Sequence, residues 1–136
     1  MEKTYFVTLT ADDEVIKTEY SGLRSLQSAV GGYIEFFSQK MFNINGFYYT
    51  VVFYCDEEYM IKNSGKHIRS NAIASLLSGV RVYGSVALMP VDGDDDTKGY
   101  SEEQCGIFIE ELKRFVESSK MKLLEYHRLN DGIVEI

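Results

Sequence analysis

The sequence predicts an α+β fold, a single domain spanning residues 1–136 in which two or three helices pack on a largely antiparallel sheet. Three observations carry that expectation. Strand-like runs occur in neighbouring pairs joined by turn residues. Helix-like runs are few and do not alternate with strands one for one. No linker, repeat or low-complexity stretch divides the chain, and 136 residues with 45% hydrophobic content can close one core without staples.

The first pair is KTYFVTL, residues 3–9, and EVIKTEY, residues 14–20, with Asp12 and Asp13 turning the chain between them. Ser21 stands where an N-cap would, ahead of GLRSLQSAV, whose Leu23, Leu26 and Val30 share one helical face while Arg24, Ser25 and Ser28 turn outward. Gly31-Gly32 should stop this helix, with Gly32 in the left-handed region. A phosphate-cradling loop precedes a helix and uses its N-terminus; this glycine pair follows one, so it reads as punctuation.

Tyr33 to Phe37 then opens a strand, and FNING, Phe42 to Gly46, reads as a turn. FYYTVVFYCDEE is apolar without alternation, as a central strand covered on both faces would be. After a turn at Asn63 to Lys66, Asn71 caps a short helix with Ile73, Leu76 and Leu77 inward and Gly79 at its end. Val80 to Asp92 reads as a strand in which Gly84 permits a bulge or a close approach. Ser101 and Gln104 form a capping-box pattern before a stripe of Cys105, Phe108, Ile109, Leu112, Phe115 and Val116. The tail KMKLLEYHRLNDGIVEI admits a hairpin about Asn130-Asp131-Gly132 or an unpaired end.

Charge restricts the function. Fourteen Lys+Arg against twenty-one Asp+Glu give a net charge of -7, which opposes binding to duplex DNA and suits a basic protein partner. No apolar run is long enough to span a bilayer, and MEKTYFVTLT lacks a signal peptide's apolar core, so no membrane partner and a cytoplasmic location are expected. Cys55 and Cys105 read as two buried free thiols, His67 and His127 as solvated histidines. No cofactor motif is present.

Three groups of residues could carry chemistry. Asp92, Asp94 and Asp96 occupy the first, third and fifth places of a calcium loop, with Glu103 at the twelfth. Thr97 stands where such a loop needs glycine, and a strand leads in, so a solvated acidic loop favouring the next helix N-terminus is the preferred reading. Asp56 and Glu58 could share one face and hold Mg²⁺, but no phosphate-binding lysine or glycine loop is evident beside them, and a solvated turn is preferred. Gln27, Tyr33 and Glu35 could bind a small ligand through amide and hydroxyl groups; the simpler reading has Gln27 satisfying carbonyls at the helix end under Tyr33.

Leu26, Gln27, Val30, Gly31, Gly32, Tyr33, Ile34 and Glu35 form the block LQSAVGGYIE. Together with Asp56-Glu57-Glu58, Asn71, Gly84, Asp92 and Gly93, this resembles domain-of-unknown-function family 3846 of bacteriophages, conjugative elements and gut Gram-positive bacteria. The resemblance spans residues 3–116; the stretch 117–136 reads as a C-terminal extension, longer than a minimal member needs. It implies a mobile-element context, adds Asn71 to the ligand-binding candidates, and implies no catalytic residue. The expected function is a small non-enzymatic accessory protein binding a basic host protein or a small ligand. The alternative is a small metal-assisted nucleotide hydrolase or transferase using Asp56, Glu58 and the Asp92–Asp96 carboxylates.

Overall fold

The structure, a computed structural model, describes residues 2–91 and 99–133. Its centre is a five-stranded sheet in the order β2-β1-β6-β4-β3, built from β1 (Thr4–Leu9), β2 (Val15–Tyr20), β3 (Ile34–Ile44), β4 (Phe47–Asp56) and β6 (Val86–Pro90). Every neighbouring pair in it is antiparallel. A two-stranded ribbon joins β5 (His67–Ile68) to β7 (Gly132–Ile133). The helices are α1 (Leu23–Val30), α2 (Tyr59–Lys62), α3 (Ala72–Ser78), α4 (Glu102–Ser118) and α5 (Lys120–Asn130). The fold is α+β, as predicted.

Strand alternation divides the core in two. Phe6, Ala87 and Met89 face α1 and close over Leu26 and Val30. Val7, Leu9, Val51, Phe53, Val86 and Leu88 face the other way, onto Cys105, Phe108, Ile109 and Leu112 of α4 and Ala72 and Ile73 of α3. Because β6 and β4 lie inside the sheet with helices on both sides, their sequences run apolar without a polar face. Two phenylalanines of β3, Phe37 and Phe42, pack on Phe53 with ring centroids 5.8 and 6.3 Å away.

Several local signals were legible. The capping box is complete: Ser101 Oγ accepts from the Gln104 N–H and Gln104 Oε1 accepts from the Ser101 N–H. Asn45 and Gly46, both at positive φ, make a two-residue hairpin turn between β3 and β4, narrower than the FNING turn expected. Gly79 ends α3 in the left-handed conformation.

Others need correction. Ser21 does not cap α1; Gly22 does, and Ser25 Oγ instead donates to the Gly22 carbonyl at 2.6 Å. The left-handed residue at the end of α1 is Gly31 (φ 89), not Gly32. Both amides are consumed there: the N–H groups of Gly31 and Gly32 donate to the Gln27 carbonyl at 2.8 and 3.1 Å, which leaves neither for a phosphate. Leu23 and Leu76, expected inward, are exposed: these helices are about two turns long and bury Leu26 and Val30 in α1 and Ile73 with Ala72, Ala74, Ser75 and Ser78 in α3.

The run from Val80 becomes a strand only at Val86; before it, Gly84 takes φ 77 beneath the Tyr59 ring, where a Cβ would lie 2.7 Å from ring carbons. The tail is the helix α5 followed by β7. Its periodicity was illegible because its buried positions are Leu123 and His127, while Met121, Leu124 and Leu129 face solvent.

Gly31 has open space where a Cβ would stand, so its requirement is purely conformational. Gly31→Ala should lower stability by about 1 kcal/mol through left-handed strain alone. A urea unfolding midpoint equal to the parent's would contradict that assignment.

Candidate functional site

The hollow at the C-terminal end of α1 is assembled from three parts of the chain. Leaving α1, the backbone passes Gly31 and Gly32 and enters β3 through Tyr33; β4 returns antiparallel beside it and ends at Asp56, opposite Ile34. Asp56 then turns the chain. Its Oδ1 accepts from the Glu58 N–H at 2.9 Å, the Glu57 N–H donates to the Tyr33 carbonyl at 2.9 Å, and α2 follows. The last residue of α2 is Lys62, whose ammonium reaches back to Asp56 Oδ2 at 2.5 Å and donates to the Gly31 carbonyl at 2.8 Å.

Asp56 is therefore not a solvated turn residue. It is 6% exposed, and its charge is answered by Lys62. Gly32 is what lets the pair form: a Cβ on it would stand 2.6 Å from Asp56 Oδ1 and 2.9 Å from Lys62 Nζ. Two adjacent glycines thus serve different ends, Gly31 a backbone conformation and Gly32 a clearance.

Gln27, Gly32, Tyr33, Glu58 and Lys62 line an open hollow of about 340 Å³ above this pair. Three of the residues singled out from the sequence, Gln27, Tyr33 and Glu58, are brought together there. The carbonyl-satisfying role expected of the Gln27 side chain falls to Lys62. Lys62 directs two of its three N–H bonds inward, so one remains for the hollow. Glu35 does not join them. It lies with Cys55, Asp56, Glu57, Tyr59 and Arg81 around a separate depression of about 190 Å³.

Asn71 is fully buried, and its side chain is spent on structure. Its Nδ2 donates to the Leu9 carbonyl at 2.9 Å and the Gly84 carbonyl at 2.8 Å, and its Oδ1 accepts from the Ala74 N–H at 3.0 Å. This corrects its place among the ligand candidates: no hydrogen-bonding edge of the amide faces a pocket. Asp92, Asp94 and Asp96 lie outside the described residues; Glu103 lies in the first turn of α4 with Glu102, where a carboxylate suits the helix N-terminus. Among the described residues, no cluster of three or more His, Cys, Asp or Glu side chains has the arrangement of a metal site.

His127 is not solvated; it is 7% exposed and held between two carboxylates. Its Nε2 meets Asp13 Oδ1 at 2.9 Å, and its Nδ1 lies 3.2 Å from both Asp131 Oδ1 and Ser70 Oγ. The Ser70 hydroxyl and amide both donate to Asp131 Oδ1, at 2.6 and 2.8 Å. The composition is that of a hydrolytic triad, but the geometry is not. Ser70 is fully buried, its proton is committed to Asp131, and the same ring nitrogen faces both serine and acid. Arg69 adds a bond from Nε to the Ala11 carbonyl at 2.8 Å. The set is a clamp that ties the end of α5 to the β1–β2 turn and to the residues before α3. The only sequence signal for it was the acidic turn at Asp12-Asp13 and a histidine four residues before Asp131.

Cys55 is half-buried and Cys105 buried, and both are free thiols. Burial pushes each thiol up to about 11, with Glu35 and Asp56 adding to the effect at Cys55, so neither presents a thiolate at neutral pH. Among the described residues, no helix is long and apolar enough to cross a membrane. The chain matches no family model, no curated protein and no solved structure.

Two expectations follow. Gly32→Ala should cost about 2 kcal/mol or more, exceeding Gly31→Ala, because the added carbon displaces the buried Asp56 carboxylate and the ammonium paired with it. Paired urea melts of the two variants check the order.

Burial raises the Asp131 carboxyl, but the hydrogen bonds from Ser70 and His127 outweigh it and hold the group below its usual 3.8. Its stabilisation is complete above that value and is lost as pH falls through the lower folded value. Ser70→Ala removes one of those bonds, so stability against pH below about 4 should fall less steeply in the variant than in the parent. Equal slopes would remove Asp131 as the group responsible.

Proposed function

We propose that this protein is a non-catalytic binding protein, and that its ligand is a small polar molecule seated at the end of α1. The observation that supports this reading is the convergence of Gln27, Tyr33, Glu58 and Lys62, drawn from four separate elements and loops, on one open hollow of about 340 Å³. The groups differ in kind. Lys62 offers an N–H to an acceptor oxygen, Glu58 accepts from an amine or hydroxyl, and Gln27 can do either. Tyr33 adds an aromatic face that is 68% exposed. A ligand with a carboxylate or carbonyl oxygen at one end and an amine or hydroxyl a few bonds away would satisfy all four. The resemblance of LQSAVGGYIE to the phage and mobile-element family supports an accessory role in a cytoplasm, since the same block forms the rim of this hollow.

A metal-assisted hydrolase is the less supported reading. Metal coordination by Asp56 and Glu58 would have to displace Lys62 from Asp56, and Asp56 Oδ1 already accepts from the Glu58 N–H.

Thermal-shift titration with a panel of amino acids, small hydroxy acids, sugars and nucleotides, each with and without Mg²⁺, tests the proposal. A saturating ligand at about a hundred times its Kd should stabilise the fold by about 2.7 kcal/mol. Tyr33→Ala and Gln27→Ala should each weaken binding about tenfold or more with an unchanged melting temperature in the free protein. Stabilisation confined to nucleotides with Mg²⁺, followed by product release, would overturn the non-catalytic reading.

A further inference from the structure

The outer edge of the sheet at β3 is unusual in being long, open and self-complementary. β3 runs eleven residues and, among the described residues, pairs on one side only, with β4. Long bare edges invite another strand, and proteins ordinarily shorten, cover or charge them. Here Phe36 is 55% exposed and Met41 65% exposed, and the charged residues on the strand are one acid and one base, Glu35 and Lys40. Neither makes an ion pair among the described residues.

Glu35 and Lys40 are five positions apart, which in a regular strand would place them on opposite faces. A bulge between Phe36 and Ser38 changes that. Glu35 lies opposite Cys55 and Lys40 opposite Val51, four residues apart on β4, so both project from the same face of the sheet.

The geometry points to a homodimer formed by antiparallel, two-fold pairing of β3 with β3 of a second copy, in the register that sets Glu35 against Lys40 of the other chain. A two-fold axis perpendicular to the sheet keeps faces matched and generates the ion pair twice, once on each side of the axis. The same register sets Ile34 against Met41 and Phe36 against Gln39. These pairs are consistent too: Ile34 and Met41 lie opposite Asp56 and Thr50, and Phe36 and Gln39 opposite Tyr54 and Val52. In both cases the partners on β4 are an even number apart, so each cross-strand pair shares a face. The occupant is a second copy because the edge's own charge order, acid then base, is the complement of itself when reversed.

Sedimentation equilibrium of the full chain over a concentration series tests the inference. The parent should reach twice the 15.5 kDa chain mass. Glu35→Lys and Lys40→Glu should each weaken dimerisation about tenfold or more, since they set like charges opposite one another. The double variant Glu35→Lys/Lys40→Glu should restore it, because exchanging the charges on both chains rebuilds both pairs. Both positions are exposed, so circular dichroism spectra should match across the set, while melts differ only as far as dimerisation does. A parent that stays monomeric, single variants that dimerise as the parent does, or a double variant as weak as the singles would each overturn the pairing.

Discussion

Asp56 ends a central strand with a charge that cannot stay buried alone. Lys62 supplies the counter-charge from the far side of a tight turn, and the same ammonium donates to the Gly31 carbonyl where α1 ends. One interaction therefore fixes the end of β4, the start of β3, the C-terminus of α1 and the whole of α2. The four-residue helix α2 buries none of its residues fully; the Tyr59 ring over Gly84, the Lys62 contact and the Asp56 turn hold it. The hollow above exists because those elements are held at that distance. A buried carboxylate without its partner would cost several kcal/mol, so the sequence must keep Gly32 small to admit the ammonium.

Two further polar devices do comparable work on the opposite face. Asn71 bonds carbonyls from β1 and from the Gly84 turn while capping α3, which joins three segments distant in sequence through one amide. The His127 clamp fastens the last helix to the first hairpin. Helix α3, and α5 packed on α3 and α4, offer small buried apolar surfaces, Ala72, Ile73 and Ala74 in one and Leu123 in the other. Directed hydrogen bonds supply the registration that apolar packing on so few side chains leaves loose.

Legibility in the sequence followed from how far each cause reaches. The β1–β2 and β3–β4 hairpins, the α4 capping box and the Asn71 cap depend on residues within a few positions of one another, and each was readable. The continuous apolar run of β4 read as a central strand covered on both faces, and it is one. What could not be read depends on partners far along the chain. Asp56 and Glu58 look like a solvated acidic turn until Lys62 folds back, and Gly32 looks like half of a helix stop until Asp56 arrives beneath it. His127 looks solvated because its three partners, Asp13, Ser70 and Asp131, come from three segments. Of the candidates, Gln27 and Tyr33 were grouped with Glu35, which lies at a neighbouring depression, and Glu58 was assigned to a metal pair with Asp56; the fold sets Glu58 beside Gln27 and Tyr33 instead. Asn71, read both as the cap of α3 and as a ligand candidate, spends its side chain on that cap and on two backbone carbonyls.

The central claim is that Asp56 and Lys62 act as a unit on which the site is built. A double-mutant cycle measured by urea unfolding tests it most directly, using Asp56→Asn, Lys62→Met and the two combined. Lys62 is partly exposed, which limits the pair's net contribution, but Asp56 is not, so losing Lys62 strands a buried carboxylate. The account predicts that the combined variant is more stable than the sum of the single losses by about 1–2 kcal/mol, with most of the Lys62→Met cost removed once Asp56 is neutral. Losses that simply add would show two independent side chains and contradict it.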